Sequence, residues 1–254
     1  MARLEGRAAL VTGAGSGFGA GIARAFCEEG ARVCVADINA NAADNVAQGL
    51  RAEGRAAFGA AIDVTDYESI LSAVAACQEE FGGLDTLVAN AGIGQRPASI
   101  SDTSTGELRR QFETNALGVV QTCQAALPAL RRARDASIVI TVSGIALVPR
   151  PQLYGYGMAK AAAAYFMKSL ALELAPENIR VNGLFPAVGE TPMLAEFAGG
   201  DLSDDDADAF ANALPLGKLI SPEDVGNAAV FLASPREAAM LTGCALPVDA
   251  GRCI

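Results

Sequence analysis

Histidine is absent from all 254 residues, which removes His-dependent triads, imidazole general bases and imidazole metal ligands together. Any proton chemistry must therefore use Tyr, Lys, Ser or carboxylates. Positive charge is scarce as well: 19 Lys and Arg face 29 Asp and Glu, a formal charge of -10, which argues against nucleic acid or an anionic membrane as partner. The six cysteines, Cys27, Cys34, Cys77, Cys123, Cys244 and Cys253, have neither C-x-x-C nor zinc-ligand spacing, so no metal is expected and they read as small core residues in a reducing compartment. No apolar run reaches eighteen residues and the polar start shows no signal pattern, so a cytoplasmic protein is the expectation.

What the chain does have is core-forming material, with 51% hydrophobic residues, arranged as short apolar runs alternating with amphipathic segments. Strands are expected at Ala8 to Thr12, Arg32 to Ala36, Ala56 to Ile62, Leu84 to Ala89, Ser137 to Val142, Ile179 to Phe185 and Leu246 to Val248. Helical spacing fills the gaps, including a long stretch from Thr103 to Arg134 that Pro128 is expected to interrupt. There is no repeat and no Pro/Ser/Gly linker. The pattern predicts one α/β domain over residues 1–254: a doubly wound, seven-stranded parallel sheet with helices on both faces, a three-layer Rossmann arrangement.

In such a sheet, ligands collect at the carboxyl ends of the strands. The first strand leads into Thr12-Gly13-Ala14-Gly15-Ser16-Gly17-Phe18-Gly19, a turn whose missing Cβ atoms and following helix N-terminus suit a pyrophosphate. Asp37 ends the second strand twenty residues after Gly17, where a carboxylate accepts hydrogen bonds from an adenosine ribose and repels a 2′-phosphate. With no arginine after it, only Ile38, Asn39 and Ala40, the cofactor expected is NAD rather than NADP. A plain helix cap remains the alternative role for Asp37. Asp63-Val64 and Asn90-Ala91-Gly92 end the third and fourth strands, and Ser143 follows the fifth. Asn115 lies mid-helix, where asparagine has poor propensity and needs a reason. Tyr156 and Lys160 lie four apart, on one helix face, where a cation is expected to lower the phenol pKa.

These motifs, in this order and spacing, resemble the short-chain dehydrogenase/reductase family of the standard type with about 250 residues. The resemblance spans nearly the whole chain: the glycine motif from Thr12 to Gly19, Asp63-Val64, Asn90-Ala91-Gly92, Asn115, Ser143 thirteen residues before Tyr156, Tyr156-x-x-x-Lys160, Asn182, Pro186, Thr191-Pro192-Met193 and Pro247-Val248-Asp249. Two departures are Phe18, where the family has isoleucine, and Ala187, where it has glycine. Tyr154 is a decoy, since its fourth following residue is Met158.

The resemblance implies hydride transfer between NAD and a secondary alcohol or ketone. It assigns Tyr156 as general acid/base, Ser143 to orient the substrate oxygen, Lys160 to tune the tyrosine and bind ribose, and Asn115 to support a water relay. The cofactor would meet Gly13, Ser16, Gly17, Phe18, Gly19, Asp37, Ile38, Asp63, Val64, Asn90, Ala91, Gly92, Tyr156, Lys160, Pro186, Val188 and Thr191. A flap at about 187–216 would cover a small-molecule substrate, hydrophobic or uncharged because Ile93, Gln95, Ile145, Leu147, Leu153, Val188, Met193, Leu194 and Phe197 would wall it. Arg96 and Arg150 are the exceptions: they read first as solvated surface arginines, with an anionic substrate group at the rim as the alternative. A homotetramer, or a homodimer, is the assembly implied. Two other readings stand beside this: a 3-oxoacyl-(acyl carrier protein) reductase, which Asp37 argues against, and a silent NAD-binding sensor or scaffold.

Overall fold

The computed structural model describes residues 2–254. Seven strands form one sheet: β1 (Ala8–Thr12), β2 (Arg32–Asp37), β3 (Ala57–Ala61), β4 (Thr86–Ala89), β5 (Ser137–Thr141), β6 (Arg180–Pro186) and β7 (Ala245–Val248). Their order is β3-β2-β1-β4-β5-β6-β7 and every pairing is parallel. The chain reverses its direction of travel across the sheet between β1 and β4. A crevice opens there at the carboxyl ends of the strands.

The central strands read as unbroken apolar runs because both of their faces are covered. Every residue of β1, β4, β5 and β6 is buried. Alternation along each strand feeds two separate cores. Leu10, Ile138 and Ile140 point to one face, where α3 (Tyr67–Phe81), α5 (Gly118–Leu130) and α6 (Tyr154–Leu174) pack. Ala9, Val11 and Val139 point to the other, against α1 (Gly17–Glu28), α2 (Ala40–Ala52) and α9 (Pro222–Ala233). Four cysteines are free thiols inside these cores, and burial pushes Cys27, Cys77 and Cys123 up to about 12, which leaves them unreactive thiols at neutral pH.

Pro128 does not interrupt its helix. α4 (Thr105–Phe112), a π-helical turn over Glu113–Leu117 and α5 run on continuously to Leu130, two residues past the proline. The irregularity lies at Asn115 instead, inside the π turn, which answers why asparagine stands mid-helix. The stretch after β6 carries two short helices, α7 (Met193–Ala198) and α8 (Asp204–Asn212), before Ser221 opens α9 with a capping box and Pro222 in its first turn.

Candidate active site

One cavity of about 940 Å³ runs along the crevice. All the expected cofactor residues line it: Gly13, Ser16 to Gly19, Asp37, Ile38, Asp63, Val64, Asn90 to Gly92, Tyr156, Lys160, Pro186, Val188 and Thr191, with Ser143. Apart from Tyr156 and Lys160, which α6 carries, they come from six strand ends that the parallel order brings side by side.

At the glycine-rich turn the backbone is packed too tightly for side chains. A Cβ on Gly19 would run into the Gly13 carbonyl, and one on Gly13, at φ 63°, would lie 2.7 Å from the Ala91 Cα. Asn90 fastens the turn, its Nδ2 donating to the carbonyls of Thr12 and Gly13, while the Thr12 hydroxyl accepts from the N–H groups of Asn90 and Ala91. Ser16 caps α1 without using its hydroxyl for a capping bond, and the first turn carries no acidic residue. The unpaired N–H groups and the positive end of the helix dipole therefore face the cavity, an arrangement that fits a dinucleotide pyrophosphate.

Asp37 is not the cap of the following helix. Asn39 fills that position, accepting from the Ala42 N–H. The Asp37 carboxylate instead accepts from the N–H of Gly15 at 2.9 Å and of Asn39 at 2.9 Å, so it is oriented from both sides with lone pairs left toward the cavity. Asp63 accepts from the N–H and hydroxyl of Thr65.

At the other end, Ser143, Tyr156 and Lys160 converge. The Ser143 hydroxyl accepts from the Ile145 N–H at 3.3 Å and hydrogen-bonds the Tyr156 phenol. The Lys160 ammonium donates to the Thr141 carbonyl at 2.9 Å and lies 5.8 Å from the centroid of the Tyr156 ring. Both side chains are buried, with only 7% and 3% of Tyr156 and Lys160 exposed. Burial pushes the phenol up to about 12; the Ser143 bond opposes this, and the Glu196 carboxylate adds to it. Burial pulls Lys160 down to about 8. The expectation that Lys160 lowers the tyrosine pKa is thus corrected: desolvation outweighs a cation that faces the ring and is anchored to a backbone carbonyl.

Asn115 does not line the cavity. It is fully buried behind Gly92, its Oδ1 accepting from the Ile93 N–H and its Nδ2 donating to the Ile93 carbonyl and to Gln111 Oε1. Both amide hydrogens are committed, so only Oδ1 has capacity left. A Cβ on Gly92 would lie 2.7 Å from that Oδ1 and 3.4 Å from the Lys160 Nζ, so the backbone here passes close to both groups and has no room for a side chain.

Several wall assignments change. Gln95 is a helix cap, its Oε1 accepting from the Tyr156 backbone N–H at 2.8 Å, one of the first-turn donors that α6 leaves free. Leu147 and Arg96 lie outside the main cavity, whereas Ile93, Ile145, Leu153, Val188, Met193, Leu194, Phe197 and Arg150 line it. Phe197 packs edge-on to Tyr156, with ring centroids 5.3 Å apart. Asn182 is structural: its side chain donates to the Leu241 carbonyl and accepts from the Cys244 N–H, fixing the approach to β7.

The sequence reading missed Gln111, whose position four residues before Asn115 on one helix was the available signal. It also missed Glu196, Phe210, Arg252 and Cys253, which line the cavity from the flap and the chain end. The Cys253 thiol lies 3.7 Å from the Gly144 carbonyl, a contact across 109 residues that no local pattern announces.

A family model described as enoyl-(acyl carrier protein) reductase matches residues 13–252. The chain belongs to the short-chain dehydrogenase/reductase family. It is 39% identical over 252 residues to 4-formylbenzenesulfonate dehydrogenase of Comamonas testosteroni, covering 98% of each chain. It is 38% identical over 245 residues to cis-4-hydroxycyclohexanecarboxylate dehydrogenase of Sinomonas cyclohexanicum, covering 96% of each. A crystal structure of 3-ketoacyl-(acyl-carrier-protein) reductase from Brucella melitensis complexed with NADH superposes with a TM-score of 0.91 at 38% identity, over 99% of this chain and 100% of that one. The chain is accordingly an oxidoreductase of the nicotinamide-dependent kind acting on alcohol-type substrates.

Proposed function

We propose that this protein is an NAD-dependent dehydrogenase that oxidises a secondary alcohol, carried on a ring, to the ketone. The observation that carries the reading is the convergence of Ser143, Tyr156 and Lys160 on the cavity whose opposite end is formed by the glycine turn and Asp37. The residues present fit the cofactor: a side-chain-free turn at a helix start for the pyrophosphate, and an oriented carboxylate with open lone pairs for the ribose. When bound, the nicotinamide supplies the two-electron hydride acceptor.

The protein's own work is positioning and proton transfer. Ser143 donates to the substrate oxygen and holds it beside Tyr156. Tyr156, as phenolate, takes the hydroxyl proton as the carbinol hydrogen departs with its electron pair, leaving the ketone. Lys160, still mainly protonated at pH 7 with a pKa of about 8, opposes the negative charge that forms on the phenolate. Asn115 fixes the Ile93 backbone beside the site, and the capacity left on its Oδ1 supports the reading of a water that carries the proton onward. Because burial holds the phenol at about 12, oxidation should quicken as pH rises, while ketone reduction, which needs the protonated phenol, should not. Residues 1–254 would act as one unit, with 187–216 as substrate flap.

The acyl-carrier reductase reading is favoured by the Brucella melitensis neighbour. Against it stands the pairing of Arg110 with Glu107 and Arg131 with Glu177, which leaves less free basic surface for an acidic carrier; Asp37 does not separate the two readings, since that neighbour is complexed with NADH. Purified protein should be assayed against ring alcohols, open-chain alcohols, ketones and a 3-oxoacyl carrier, with each nicotinamide cofactor, by absorbance. Turnover of ring alcohols with NAD supports the proposal; activity confined to the carrier substrate with NADPH overturns it, and dinucleotide binding without turnover of any substrate points to a silent binder.

A further inference from the structure

The main cavity holds four cationic side chains with different commitments. Lys160 is tied to the Thr141 carbonyl, and Arg110 is engaged by Glu107 through Nε at 2.9 Å and Nη2 at 3.0 Å. Among the described residues, Arg150 and Arg252 make neither an ion pair nor a side-chain hydrogen bond.

Arg150 differs from Arg252 in being held. It stands in Pro149-Arg150-Pro151, where one proline fixes its own φ before it and the other confines Arg150 to extended backbone. The loop is tied back where the Gln152 carbonyl accepts from the Ala98 N–H. The guanidinium lies over the Phe210 ring of α8, 5.6 Å from its centroid, so the flap supports it from the other side. α8 also carries Asp204, Asp205, Asp206 and Asp208, and none of these pairs with Arg150. An exposed cation is therefore held over Phe210 at the wall of the cavity, next to an acidic helix, with no protein partner for its donors. The reacting end carries charge of both signs, the Lys160 ammonium beside the Tyr156 ring and Glu196 close enough to Tyr156 to raise its pKa.

We infer that Arg150 is the specificity residue for an anionic group, so that the substrate is a ring alcohol or ketone bearing an oxyanion substituent, carboxylate or sulfonate, on the side of the ring away from the reacting carbon. Guanidinium offers both oxyanions two parallel donors. This rests on the ring-alcohol reading above and revises the expectation of an uncharged substrate.

The test is made on binding, so that it stands apart from turnover. The NADH-loaded protein is titrated calorimetrically with cyclohexanecarboxylate, cyclohexanesulfonate and the neutral cyclohexanecarboxamide. At least one anion should bind about tenfold tighter than the amide or better, the scale of one charge-assisted hydrogen-bonded pair; which anion wins identifies the oxyanion. Arg150→Gln should bring the ratio toward one, and Arg150→Lys should restore part of it. Equal binding of amide and anions, a preference that survives Arg150→Gln, or a preference abolished by Arg252→Gln instead would each overturn the assignment. A preserved anion preference with no turnover of any alcohol would leave Arg150 standing and remove the catalytic reading.

Discussion

Replacing Lys160 by methionine isolates the energetic consequence of burying a cation at the reacting end of the cleft. Lysine in the unfolded chain titrates near 10.5, and burial lowers it to about 8 in the folded protein. Between these two values the unfolded chain keeps a proton that the folded chain has lost, so raising pH through the window favours folding. Below about 8 both states hold the proton, and the fold bears the whole desolvation cost; above about 10.5 neither does. At about 1.4 kcal/mol per pKa unit the difference is on the order of 3 kcal/mol. The methionine variant loses the bond to the Thr141 carbonyl, but that offset does not change with pH. Cys27, Cys77 and Cys123, raised from 9.0 to about 12, cost both proteins the same stability above about pH 9 and so cancel in the difference. Urea melts of both proteins without cofactor at pH 7, 8, 9 and 10 should show the wild type gaining on Lys160→Met by roughly 2–3 kcal/mol across the series. A stability difference that stays flat from pH 7 to 10 would refute the placement of a buried, desolvated ammonium here.

Two further outcomes bear on the cofactor end and the flap. Asp37→Ala should raise kcat/KM with NADP relative to NAD by about tenfold or more, because it removes the charge that repels a 2′-phosphate; an unchanged preference would mean that the carboxylate serves only the Gly15 and Asn39 N–H groups. Gly189→Ala places a methyl against the Phe18 ring and the Ile220 carbonyl, and overpacking of this kind costs about 1–3 kcal/mol. Its Tm should fall by several degrees, about 2–4 °C per kcal/mol for a chain of this size, and Phe18→Leu in the same chain should recover part of the loss. Absence of any loss would show that Phe18 and the start of the flap are not packed as described.

The sheet was legible because each strand is a short apolar run closed by a polar or glycine-rich break, and alternation with helical spacing leaves few topologies besides a doubly wound one. Site residues at strand ends were legible for the same reason: the topology brings Gly13, Asp37, Asp63, Asn90, Ser143 and Pro186 to one edge whatever their side chains do. The order of magnitude of local fields was not. Four-residue spacing puts Lys160 near Tyr156, but whether it meets the oxygen or the ring depends on Thr141, which draws the ammonium to its carbonyl. Gln95 looked like pocket wall because it follows β4, yet its amide oxygen is spent on the first turn of α6. Pro128 looked like a break, although so near the end of α5 it forfeits little helical bonding. Long-range closure by Arg252 and Cys253 left no pattern in the sequence.

The departure at position 18 also has a physical partner. A phenylalanine there fills space against Gly189, and glycine at 189 is what leaves room for the ring. The phosphate-side turn and the start of the flap are thereby packed together. Ala187 lines the cavity and also packs against the core beneath α9.

The central claim is that Tyr156 exchanges the proton of the substrate oxygen. Steady-state turnover of Tyr156→Phe on the best ring alcohol found, with NADH binding followed in parallel by fluorescence, addresses it directly. The expected result is a loss of about 100- to 10,000-fold or more in kcat with cofactor binding retained, since only the phenolic oxygen has been removed from an otherwise packed ring. Turnover within a few fold of the wild type would contradict the claim.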